Sequence, residues 1–174
     1  MPDNEPITLG FDPGTAILGY GVISGSNSPQ LIDVGVIETN STAPMPERLL
    51  ILHDEATKLI AEFHPNTIAV ETLFFSRNVT PASAVGQARG VILLAASQAG
   101  IPVAEYSPSE VKFAVAGYGK AAKKQMQEMV RVILGLDFAI EPDDAADALA
   151  IALCHAQTAP FAARVSERGK EAWG

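Results

Sequence analysis

Residues 7–39, ITLGFDPGTAILGYGVISGSNSPQLIDVGVIET, hold the pattern that decides the fold. ITLGF has the apolar, small-residue composition of a buried strand and stops at Asp12, where Pro13 and Gly14 turn the chain. Strand-like runs return at 18–24 (LGYGVIS) and 31–39 (LIDVGVIET), parted by the turn-formers of GSNSPQ. An antiparallel meander is therefore predicted for the first 40 residues.

Beyond the meander the periodicity changes. Residues 46–63 place Leu49, Leu52, Leu59, Ile60 and Phe63 at helical spacing with charges opposite, and Pro65 ends the pattern. TIAVE (67–71) is a short apolar strand that again finishes on an acid, Glu71. A second helix is predicted over 81–99, with Thr80 as its cap and Gly100 closing it. Its apolar residues lie on most sides, which fits either a helix shared between the sheet and a second subunit or the central helix of a monomer core. IPVAEY (101–106) reads as a strand, and SPSE (107–110) as a capping box with Pro108 in the first helical position. KQMQEMVRVILG (124–135) is a helix ended by Gly135, and a last helix starts near Pro142 with DDAADALAIALCHAQ. After residue 159 the periodicity is lost. This order of elements is that of an α/β or α+β layout around one mixed sheet.

At 174 residues, with 48% hydrophobic and 18% charged residues, the chain can bury a full core without disulfides or a structural metal. No apolar run approaches the roughly 18 residues of a membrane span, and MPDNEPITLGFD has no basic leader, so no membrane association and a cytoplasmic location are expected. The lone Cys154 sits in the apolar ALAIALCHA stretch, where an inert buried thiol is expected. A net charge of −8 argues against a nucleic-acid partner unless the basic residues gather on one face.

Two acids, Asp12 and Glu71, end strands, the sheet edge at which α/β folds place ligands. Asp144 and Asp147, three apart at the start of the final helix, share one side of it. Were the four to converge, neighbouring carboxylates about 5 Å apart would repel by roughly 3 kcal/mol per pair at an effective dielectric near 20, so the set would protonate or bind cations. All-oxygen donors favour Mg²⁺ or Mn²⁺, and a pair of such ions suits phosphodiester cleavage. Spacing alone does not establish convergence, and acids in a first helical turn also serve the helix dipole, as Asp143 could.

Taken together, LGFDPGTAILGYGVI, AVETLFFSRN, VGQARGVILLAA and DDAADALAIALCHA resemble, in motif, order and spacing, the RuvC family of Holliday junction resolvases over about residues 7–158. The resemblance implies a mixed α/β, ribonuclease H-like fold with a central five-stranded mixed sheet flanked by helices. It implies one nuclease domain over 1–158, leaving 159–174 as a frayed tail. It further implies a homodimer, formed through the 81–99 helix, that makes paired symmetric nicks in a four-way DNA junction. Asp12, Glu71, Asp144 and Asp147 would be the catalytic residues and the ligands of two Mg²⁺ or Mn²⁺ ions. Phe74, with Phe75 beside it, matches the family aromatic that stacks on bases at the junction centre, and Lys112 and Lys123 match basic positions of the DNA groove. Branch-migration proteins RuvA and RuvB are the implied partners.

A basic face on an acidic protein would then draw on Lys120, Lys123 and Lys124, with Arg131 further along and Arg77 and Arg89 near Phe74. Neutralising about six phosphates would weaken binding roughly a thousandfold between 50 and 200 mM salt. Three other readings stand beside this one. The strand followed by DPGT also resembles the phosphate-binding start of actin-like ATPases and sugar kinases, which need two such domains. A non-catalytic junction-binding module, or a ribonuclease H-like nuclease acting on RNA–DNA hybrids or in ribosomal RNA processing, would share the fold.

Overall fold

The structure, a computed structural model, describes residues 5–72 and 79–171, and for 79–81 and 161–171 the backbone alone. Its strands are β1 (Ile7–Asp12), β2 (Ile17–Ser24), β3 (Gln30–Glu38), β4 (Thr67–Glu71) and β5 (Val103–Tyr106). The helices are α1 (Met45–Phe63), α2 (Val79–Gln98), α3 (Pro108–Ala116), α4 (Lys123–Ile133) and α5 (Asp143–Glu171). One sheet runs β3-β2-β1-β4-β5. The first three strands form the predicted antiparallel meander, whereas β4 and β5 join β1 in parallel.

Strand alternation sorts the side chains into two layers. Leu9, Phe11, Ile68 and Val70 pack with Leu52, Ile60, Ala88 and Ile92 of α1 and α2. Ala69 faces the opposite core, built from α3, α4 and α5. By the same alternation Gly10, Asp12 and Glu71 belong to the α5 side. There α5 lies almost on the backbone of β1: a methyl group at Gly10 would stand 2.3 Å from the Ala148 carbonyl oxygen. Glycine on the strand and alanine on the helix permit that approach, and it carries the start of α5 to the end of β1.

The helix ends follow local chemistry. Ser107 and Glu110 form the predicted capping box: the Glu110 amide donates to the Ser107 hydroxyl at 3.3 Å and the Ser107 amide to the Glu110 carboxylate at 2.7 Å. Helix α1 stops at Phe63, two residues before Pro65, and the next residue, His64, adopts a left-handed φ of 46° with its amide donating to the Ile60 carbonyl. Helix α2 begins at Val79, so Thr80 lies inside it rather than capping it. The final helix continues through Pro160 to Glu171, where a frayed tail is expected from the sequence. Proline removes one backbone donor, and Ala162, Ala163 and Arg164 beyond it are good helix formers. Among the described residues no helix is long and apolar enough to cross a membrane.

Candidate active site

β1 and β4 run in register up to Phe11 beside Val70, so the next residues, Asp12 and Glu71, end neighbouring parallel strands on one face. The third contributor comes from the helix laid against them. Gly19, the β2 partner of Asp12, has no side chain, and the Asp144 backbone rests on it, so that a Cβ there would be 2.0 Å from the Asp144 carbonyl oxygen. One turn on, Asp147 joins Asp12 and Glu71 in a cleft of about 290 Å³, whose wall includes Lys112, Lys123, Val111 and Met126. Asp144 borders a shallower depression with Glu38, Glu141 and Asp143.

The electrostatics are those of crowded acids. Burial, then the charges of Asp147, Glu71 and Asp144, push the Asp12 carboxyl from 3.8 up to about 7, opposed only by Lys123. Burial and then Asp147 raise Glu71, with Lys112 opposing. Burial raises Asp147 as well, and Lys123 is the leading influence against it. Lys123 Nζ lies 3.1 Å from Asp143 and 3.4 Å from Asp147, bridging α4 and α5. Asp143 also accepts a 2.7 Å hydrogen bond from Gln127, a role beyond the helix dipole that the sequence did not disclose.

The donor set suits a hard divalent cation. Every candidate ligand is a carboxylate oxygen, and the negative charge converging on Asp12 exceeds what one lysine offsets. Among the described residues no three of these groups lie close enough to hold one ion in common. The acids are thus gathered on one edge in an open arrangement, with Asp144 as the outlying member.

Of the predicted basic positions, Lys112 and Lys123 line the cleft. Lys120 and Lys124 are exposed, Lys124 beside a separate depression with Gln127 and Arg131. Two arginines expected on a basic face are already committed: Arg89 pairs with Glu105 on β5, and Arg131 pairs with Glu128 and donates to the Leu136 carbonyl. Phe74, Phe75 and Arg77 lie outside the described residues. Cys154 is buried, which pushes its thiol up to about 12, in keeping with an inert core residue.

Residues 8–155 match the family described as crossover junction endodeoxyribonuclease RuvC. The chain is 60% identical over 153 residues to the protein of that description from Chloroflexus aurantiacus, covering 87% of this chain and 93% of the relative. Identity to its counterpart from Thermomicrobium roseum is 53% over 149 residues, 86% and 91% of the two chains. The solved structure of Thermus thermophilus RuvC in complex with a Holliday junction substrate superposes with a TM-score of 0.86 at 42% identity, over 90% of this chain and 96% of that one. The yeast mitochondrial Holliday junction resolvase Ydc2, 16% identical with a TM-score of 0.59, shares the fold, over 86% of this chain and 78% of its own. The ribonuclease H-like architecture expected from the sequence is thus the one found.

Proposed function

The chain belongs to the RuvC family of crossover junction endodeoxyribonucleases, metal-dependent nucleases, and on that premise we propose that it resolves four-way DNA junctions by paired symmetric nicks. The observation that carries this reading is the crowding of Asp147, Glu71 and Asp144 on Asp12 at the carboxyl edge of β1 and β4. Asp12, Glu71, Asp147 and Asp144 are the proposed ligands of two Mg²⁺ or Mn²⁺ ions, which would supply an activated water and charge stabilisation for the leaving oxygen. Asp12 and Glu71 hold fixed positions because strands end there, while Asp144 and Asp147 ride on α5. Lys123 pairs with Asp147 from α4, and Lys112 contributes positive potential beside Glu71.

Junction choice is assigned to Phe74, with Phe75, stacking on exposed bases, where each base stacked on an aromatic is worth about 1–3 kcal/mol. Arg77, Lys112, Lys120, Lys123 and Lys124 are the proposed phosphate contacts. A homodimer formed through α2 would present two such sites to opposite strands, and RuvA and RuvB are the proposed branch-migration partners, in the cytoplasm. The test is to offer a synthetic four-way junction, a linear duplex and an RNA–DNA hybrid with Mg²⁺ or Mn²⁺. Symmetric paired nicks on the junction alone are expected. Preferential cutting of the hybrid would favour a ribonuclease H-like activity instead, and junction binding without cutting would favour a scaffold.

A further inference from the structure

Arg48, in the first turns of α1, is only 9% exposed, and with Thr8 it is one of two polar residues in the core of the described structure. Its Nε donates to the Thr39 hydroxyl at 3.0 Å. That hydroxyl donates in turn to the Thr15 carbonyl at 2.5 Å, while the Thr39 amide donates to the Ala16 carbonyl at 3.0 Å. Two hydrogen bonds in series therefore tie the guanidinium to the turn that follows Asp12.

What the guanidinium lacks is an anion. Among the described residues no carboxylate pairs with Arg48, and the contact to Thr39 is the one hydrogen bond its side chain makes. Among the described residues Arg89 Nε is the buried side-chain atom left without a partner, so the terminal nitrogens of Arg48 are not sealed from solvent. The fork of N–H groups left without a protein partner matches the paired oxygens of a phosphate.

Position supplies the ligand. The Asp12–Thr15 turn stands at the sheet edge between the two helix layers, with the carboxylates on the α5 side and Arg48 on the α1 side. A nucleic-acid strand laid across that edge would run from the carboxylate side to the Arg48 side. We propose that Arg48 grips a backbone phosphate of the DNA strand being cut, on the far side of the Asp12–Thr15 turn from the carboxylates. This rests on the junction-nuclease reading above.

The test is the salt dependence of binding to a synthetic four-way junction by the full chain with Ca²⁺ in place of the catalytic metal. Arg48→Met keeps the apolar stem and removes the charge. Its log-affinity against log-salt slope is expected to be shallower than the parent's by about 0.9, the value of one phosphate contact. Arg48→Lys should keep the slope and lose about three- to tenfold in affinity, because a point charge cannot bind bidentately. An unchanged slope in Arg48→Met, even with a lowered Tm, would overturn the proposal and leave Arg48 a purely structural residue. If Arg48→Met does not fold, Arg48→Lys decides, and undiminished affinity there would overturn it equally. A flat salt response in the parent protein would instead remove the DNA reading itself, and this assignment with it.

Discussion

The backbone of Asp144 lies directly on Gly19: a methyl group on that glycine would stand 2.0 Å from the Asp144 carbonyl oxygen and 2.5 Å from its carbonyl carbon. Neither atom belongs to a flexible side chain, so Gly19→Ala must push the start of α5 off the sheet. Such overpacking is expected to cost about 1–3 kcal/mol, read by urea unfolding. Because α5 carries Asp144 and Asp147, junction nicking should fall further than the stability loss alone explains. Full nicking by a folded Gly19→Ala protein would show that the helix position is not critical.

Lys123 is half-exposed, so its bridges to Asp143 and Asp147 contribute little to folding, about 0–1 kcal/mol. Its weight lies in the cleft, where it opposes the raised carboxyls of Asp12 and Asp147. Lys123→Gln is expected to leave Tm within about 3 °C of the parent, the shift that under 1 kcal/mol gives in a chain of this size. Nicking by this variant should shift to higher pH, because the carboxyls that Lys123 holds down then ionise later. A large Tm loss with an unaltered pH profile would contradict this role.

The Asp12 carboxyl contributes a definite share of the pH dependence of the metal-free protein. Its folded value of about 7 exceeds the 3.8 of an unhindered aspartate, so the folded state holds this proton more tightly. The resulting penalty is absent below pH 3.8, grows as pH rises, and is complete above about pH 7. Asp12→Asn should therefore be more stable than the parent in EDTA at pH 8, and the difference should shrink at pH 5. Denaturant unfolding at the two pH values measures it, and an Asn variant less stable at pH 8 would contradict the crowding of acids on this residue.

Much of this was legible in the sequence, because strand ends and caps are written locally. Asp12 and Glu71 close apolar strand runs, and Ser107 with Glu110 announces the turn into α3. What escaped depends on contacts across the chain. The seating of α5 on Gly10 and Gly19 carries a faint signal, glycines inside strands paired with alanines on one helix, which could have placed Asp144 and Asp147 near Asp12 without a family resemblance. Arg89 and Arg131 look like free cations until Glu105 and Glu128 are found beside them. Arg48 reads as one charge on the polar side of an amphipathic helix, and only the Thr15–Thr39 pairing reveals it to be buried. His64 closes α1 in a conformation that sequence would assign to glycine.

Helix α2 leaves Leu94 52% exposed, and the neighbouring α1 leaves Leu50 60% and Ile51 42% exposed. If α2 forms the dimer contact, Leu94→Glu should shift the sedimentation coefficient to that of a monomer with little change in Tm. A dimer that survives this charge would place the interface elsewhere.

The most direct test of the proposed metal centre is metal-dependent nicking of a four-way junction by Asp12→Asn, with junction binding measured in parallel. Asp12 is the residue on which the other three acids converge, and the substitution preserves its size. The variant is expected to bind the junction as the parent does and to make no nicks with Mg²⁺ or Mn²⁺. Retained paired nicking by Asp12→Asn would contradict the proposed metal centre.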